Sequence, residues 1–190
     1  MPRCAWCGTD PLYVRYHDEE WGVPTRDPRR LFESLVLEGF QAGLSWITVL
    51  RKRERYRAVL FGFDPQRLAE MSDDYLEQCL LDPGIIRNRQ KLVAARTNAQ
   101  AWLRLDDPVP WLWSFVDDAP RINRFSRLDE VPAVTPEAEA LSRALKKAGF
   151  SFVGPTLCYA FMQACGLTMD HLVDCERHAP LAAPASERSH

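Results

Sequence analysis

Apolar residues recur every three or four positions along most of this chain, and the breaks between runs carry residues that start and stop helices. Asp27-Pro28 opens a segment in which Leu31 and Leu35, flanked by Phe32 and Val36, form a stripe with Glu38 at its edge. A second helix is predicted over residues 45–60. Ser72-Asp73-Asp74 caps a third that reaches Leu81, and Asp82-Pro83-Gly84 breaks it. A long helix is predicted over residues 85–105, with Leu92, Ala95, Ala99 and Trp102 on one face. Thr135-Pro136-Glu137 supplies an N-cap, a proline at the first helical position and an early acid. That helix carries Ala138, Leu141, Leu145 and Ala148 as its stripe and ends at Gly149; another runs over residues 156–165 to Gly166. No segment alternates as a strand would, so the expected fold class is all-α.

Composition narrows the class. At 190 residues, 46% hydrophobic and 26% charged, the chain has a globular balance that excludes disorder throughout. No apolar run approaches the ~18 residues of a membrane span, and Met-Pro-Arg-Cys-Ala-Trp-Cys lacks a signal peptide's apolar core, so a cytoplasmic protein with no membrane partner is expected. In that reducing setting the six cysteines are read as metal ligands or buried thiols rather than three disulfides. The net charge of −2 argues against a protein that coats nucleic acid indiscriminately. One basic run, residues 51–57, is either a local DNA patch or a solvated helix face. The Ala/Pro/Ser-rich stretch 179–190 reads as a disordered tail.

Three constellations carry chemistry. His171-x3-Cys175 spaces an imidazole and a thiolate one helical turn apart, and Cys4, Cys7 and His17 lie near the other end. Two ligands from each end would make a tetrahedral structural zinc site; spacing alone favours Cys4 and Cys7 as the amino-terminal pair, with free thiols as the alternative. From Trp6 to Trp46 the chain is rich in aromatics, among them Tyr13, Tyr16 and Trp21. Such residues are ordinarily core, but Glu38 beside them must be paired or line a pocket, because an unpaired buried carboxylate is costly. Aromatic walls with a carboxylate and a phenol suit a flat, cationic heterocycle such as a nucleobase. Finally, residues 146–156 join two helices through Val153-Gly154, as a helix–hairpin–helix does when its backbone N–H groups meet a phosphate; a plain packing corner is the competing reading.

Longer stretches carry a resemblance. Tyr13-Val-Arg-Tyr16-His17-Asp18-Glu19-Glu20-Trp21-Gly22, Leu37-Glu38-Gly39-Phe40-Gln41-Ala42-Gly43-Leu44-Ser45-Trp46, Gly84-Ile85-Ile86-Arg87-Asn88-Arg89, Phe152-Val153-Gly154-Pro155-Thr156 and Phe161-Met162-Gln163-Ala164-Cys165-Gly166 closely resemble the DNA-3-methyladenine glycosylase I family. The likeness runs in order over residues 1 to about 178, read as a single glycosylase domain with two helical lobes around a cleft.

The resemblance implies an all-α helix–hairpin–helix DNA glycosylase that acts on alkylated double-stranded DNA in the bacterial cytoplasm and releases free 3-methyladenine; a monomer is expected. It implies one structural zinc on Cys4, His17, His171 and Cys175, against the spacing preference for Cys7; Cys7 and His178 stand close enough to compete. Glu38 and Tyr16 would act on the base by hydrogen bonding, Trp46 would stack on it, and Trp6, Tyr13 and Trp21 would wall the pocket. Leu44, with Gly43 beside it, resembles a wedge that fills the gap left by an extruded nucleotide. Val153 and Gly154 would form the DNA-binding hairpin. The nucleophilic lysine of lyase-type relatives is missing after the hairpin, where Pro155, Thr156, Leu157 and Cys158 follow. A zinc-pinned module that binds lesions without catalysis is the rival reading.

Overall fold

The computed structural model describes residues 2–41 and 43–183. Ten α-helices occur among them: α1 (Pro11–Glu19), α2 (Pro28–Gln41), α3 (Trp46–Val59), α4 (Pro65–Ala69), α5 (Asp73–Cys79), α6 (Arg89–Trp102), α7 (Pro108–Trp113), α8 (Pro136–Lys147), α9 (Pro155–Ala164) and α10 (His178–Ala182). The only strands among the described residues are two-residue segments, Arg121–Ile122 and Thr168–Met169, paired in parallel. The all-α expectation therefore holds. Among the described residues no helix is long and apolar enough to cross a membrane.

Local chemistry explains where the helices begin. Six of the ten start with proline at the first position, whose missing N–H costs nothing there. Asp10 Oδ1 accepts from the N–H groups of Leu12 and Tyr13, and Asp64 Oδ1 accepts from Gln66 and Arg67. The long helix expected from residue 85 starts later, at Arg89, because Asn88 caps it by accepting from the Lys91 N–H at 3.1 Å.

Helix α2 is the centre of the molecule, packed against α3, α6, α7 and α9. Its last turns are buried on every side: Leu35, Val36, Leu37, Glu38, Gly39 and Phe40 are all inside. A single contiguous core runs from Leu31 to Leu167 in sequence, and α2 carries Glu38 into it from the middle. Gly166, at φ +67°, lets the chain leaving α9 touch the backbone of Val23 and Pro24, where a Cβ would collide. That crossing brings residues 168–175 back against the start of the chain.

Two expectations change. The tail read over 179–190 begins in fact with α10, whose Leu181 is buried; residues 184–190 lie outside the described residues. His171 and Cys175 sit on an irregular turn closed by the Cys175 N–H to Leu172 O bond at 2.8 Å, not on a helix.

Candidate base pocket and metal centre

Cys4, His17, His171 and Cys175 are all buried, and their ligating atoms lie within 4.8 Å of one another. The Sγ to imidazole nitrogen separations are 3.6 Å for Cys4–His171 and 3.5 Å for both Cys175–His17 and Cys175–His171. Zinc–sulfur and zinc–nitrogen bonds of ~2.3 and ~2.0 Å at tetrahedral angles put such atoms about 3.5 Å apart, so the donor set fits that ion. The outer contacts fit too. His17 presents Nε2 inward while its Nδ1 donates to Asp18 Oδ1 at 2.7 Å, and Arg3 braces that carboxylate. His171 presents Nδ1 while Nε2 donates to Trp21 O at 3.0 Å. Burial pushes the His171 pKa down to about 4, leaving a neutral ring with a lone pair to give. Backbone N–H groups of Leu172 and Arg177 point at the two sulfurs. The competitors are engaged elsewhere: Cys7 Sγ donates to Cys4 O, and His178 Nε2 bonds Asn123 O.

The aromatic wall stands on this cluster. Trp6 packs 5.2 Å from His17 and 4.9 Å from Trp21, and Trp21 lies 4.7 Å from His171, centroid to centroid. Tyr13 completes the group 5.1 Å from Trp6. Tyr16 and Trp46 meet at 5.5 Å on the other side. Trp6, Tyr13, Tyr16, Trp21 and Trp46, with Glu38, line one cavity of about 240 Å³. Glu38 is only 4% exposed, and its Oε2 is buried with no hydrogen-bond partner; the same is true of Trp46 Nε1. Burial raises the Glu38 pKa from 4.5 to about 8. The Tyr16 phenol is held well above its ordinary value, first by burial and then by the nearby Glu38 charge. Burial thus favours the protonated form of both groups.

Among the lining residues that sequence reasoning gave no role are the polar Gln41, Gln163 and Asp170, with apolar Leu128, Val131, Ala160 and Leu172 around them. Gln163 Nε2 and the Tyr159 hydroxyl donate to Asp170 Oδ2, and Asn123 Nδ2 donates to Oδ1 at 2.7 Å. Gln163 was detectable as a polar position inside the apolar run 157–165.

The cavity opens into a groove that shares Glu38, Gln41 and Ala160 with it and is bordered by Gly43, Leu44, Phe152 and Gly154. Leu44 is 40% exposed at its lip, and Gly43 turns the chain there at φ +81°. Gly154 is the N-cap of α9, and a Cβ on it would meet nothing within 4 Å, so any crowding there would come from outside the chain. Val153 is turned inward. Its side chain is 2% exposed, and its carbonyl accepts from Ser142 Oγ at 2.6 Å, so its side chain anchors the hairpin from within.

The basic run 51–57 is not a free patch. Arg53 makes a bidentate pair with Glu20 at 2.6 and 2.8 Å, Arg51 pairs with Asp10, Arg55 with Asp82, and Arg57 with Glu33 and Glu54. The run ties α3 to its neighbours.

Comparison with known proteins agrees with this geometry. The methyladenine glycosylase family model matches residues 6–178. The chain is 52% identical over 179 residues to DNA-3-methyladenine glycosylase 1 of Escherichia coli, covering 92% of this chain and 96% of that one. A crystal structure of 3-methyladenine DNA glycosylase I superposes with a TM-score of 0.92 at 53% identity, over 93% of this chain and 100% of that chain. A variant 3-methyladenine DNA glycosylase I in complex with 3-methyladenine superposes at 0.90 with 35% identity, over 94% and 98%. With a matching family model along nearly its whole length and a pocket of the expected residues, the chain belongs to the methyladenine glycosylase family.

Proposed function

We propose that this protein is a monofunctional, cytoplasmic DNA glycosylase that excises 3-methyladenine from alkylated double-stranded DNA, acting as one monomeric domain over residues 1–178. The observation that carries the reading is the orphaned Glu38 Oε2 in an aromatic cavity with Trp46 and Tyr16. A buried acid without a partner destabilises the free protein and is explained by a cationic ligand that completes it. At about 240 Å³ the cavity falls below the ~300–1,000 Å³ of drug-sized sites, which leaves room for one base.

Methylation at N3 leaves adenine positively charged while bonded to deoxyribose. The base must leave the duplex stack to enter the cavity. There Trp46 stacks on its face, Glu38 accepts from its exocyclic amine, and Tyr16 orients it; Trp6, Tyr13 and Trp21 form the surrounding wall. The arriving positive charge favours the Glu38 carboxylate, so the acid loses its proton as the base binds. The bond between C1′ and N9 then breaks, with its electron pair neutralising the base. Water adds to the oxocarbenium-like sugar and gives up a proton, leaving an abasic site. Glu38 favours that transition state by its charge. No lysine amine is among the residues lining the cavity, and Lys91 is turned onto Phe40 O at 2.8 Å, so no strand cleavage is assigned. Leu44 and Gly43 at the lip, with the Val153-Gly154 backbone, would hold the duplex. Cys4, His17, His171 and Cys175 would hold a structural zinc, which supplies a cross-link and takes no part in bond breaking.

Incubating the protein with methylated DNA and scoring free 3-methyladenine separately from strand nicks tests the proposal. Release without nicking is expected; nicking would indicate a lyase, and binding without release a lesion sensor.

A further inference from the structure

One aromatic side chain remains unused by this account. Phe152 is 40% exposed, and its backbone is left-handed at φ +55°, a conformation that glycine or asparagine adopts at lower cost. The conformation is imposed from below. Asn98 on α6 brackets the preceding residue, donating to Ser151 O at 3.0 Å and accepting from Ser151 N–H at 2.7 Å. Two turns earlier on the same helix, buried Lys91 donates to Phe40 O near the end of α2. Helix α6 therefore holds both the Ser151 turn and the last turn of α2. Phe152 Cβ rests 3.7 Å from where a side chain on Gly39 would begin, so its foot is seated on α2 while its ring stays partly open to the groove.

The groove has a definite occupant if the base reading is right. A base enters the cavity while still bonded to its strand, so the strand must lie within one sugar of the cavity mouth. That mouth is this groove, which shares Glu38, Gln41 and Ala160 with the cavity. We propose that Phe152 is a second apolar DNA contact, packing on the sugar and base edge of a nucleotide flanking the extruded one while Leu44 fills the vacated space. The proposal rests on the glycosylase reading and extends it by a duplex-specific contact.

The test compares Phe152→Asn, which suits the left-handed backbone, with Phe152→Leu, which keeps an apolar side chain. Affinity for a duplex holding a stable abasic-site analogue is read by fluorescence anisotropy across a salt series, and free 3-methyladenine binding by quenching of tryptophan emission. Phe152→Asn should lose about tenfold in duplex affinity at every salt concentration, with an unchanged salt slope, while Phe152→Leu keeps most of it. Both should bind the free base like the wild type. Equal duplex affinity for Phe152→Asn and wild type overturns the proposal, as does a parallel loss of free-base binding, which would make Phe152 part of the cavity. A wild type that binds the base but no duplex overturns this contact alone; one that binds neither also overturns the glycosylase reading.

Discussion

Replacing Glu38 by glutamine should stabilise the unliganded protein, by an amount that grows with pH. Glu38 titrates near 8 in the folded chain and near 4.5 when unfolded, because burial disfavours its charge and no hydrogen bond at Oε2 compensates. A raised folded pKa gives a contribution that is fully present below pH 4.5 and is lost as pH rises toward 8. Over that window the unfolded chain ionises and the folded chain does not, so stability falls by about 1.4 kcal/mol per pH unit. Between pH 5 and 7.5 the wild type should lose about 3 kcal/mol that Glu38→Gln keeps. Urea unfolding of both proteins at the two pH values measures this directly, and other titrating groups cancel in the difference. Above pH 8 the two curves should run parallel. If the difference between the proteins is flat from pH 5 to 7.5, Glu38 is solvated or paired, and the argument for a pocket awaiting a cation fails. The same variant should release 3-methyladenine from methylated DNA more slowly, so stability and turnover move in opposite directions.

Chelation or Cys175→Ala should remove one zinc per chain by colorimetric assay and lower Tm by about 10 °C, whereas Cys7→Ala should retain the metal. Trp46→Ala should weaken free 3-methyladenine binding roughly 10- to 100-fold by fluorescence titration, with a small change in Tm. Arg53→Ala strands the partly buried Glu20 and should cost about 2 kcal/mol in denaturant unfolding. It should leave the salt dependence of DNA binding unchanged, because that charge is consumed inside the protein.

What could be read from the residues depended on whether the signal was local. Helices α2, α5 and α8 announce themselves through caps and apolar spacing and start at the expected caps, and α3 falls within the range expected for it. Helices α1, α4 and α7 carry the same Asp-Pro opening as α2 but are short or weakly striped, so periodicity passed over them. Glu38 was legible as a conflict, a carboxylate at the edge of an apolar stripe, and burial of the end of α2 resolves it. The metal set was not legible from spacing. Cys4 and Cys7 have the familiar interval, yet the turn Ala5–Cys7 directs Cys7 Sγ back to Cys4 O and leaves the place to His17, thirteen residues along. Charge alone left residues 51–57 open between a DNA patch and a solvated face, because the acids that neutralise them come from the two caps of α1, from α2 and from the loop after α5. Gln163 and Asp170 needed the crossing at Gly166 to meet the cavity at all.

The indole wall leans on ligands contributed by residues 4 and 17 at one extremity and 171 and 175 at the other. A ribosome must therefore have passed residue 171 before Trp21 gains its contact with His171. Translation itself times the appearance of the recognition slot, and a product arrested short of residue 171 carries the acid and the stacking surface without the scaffold that aligns them.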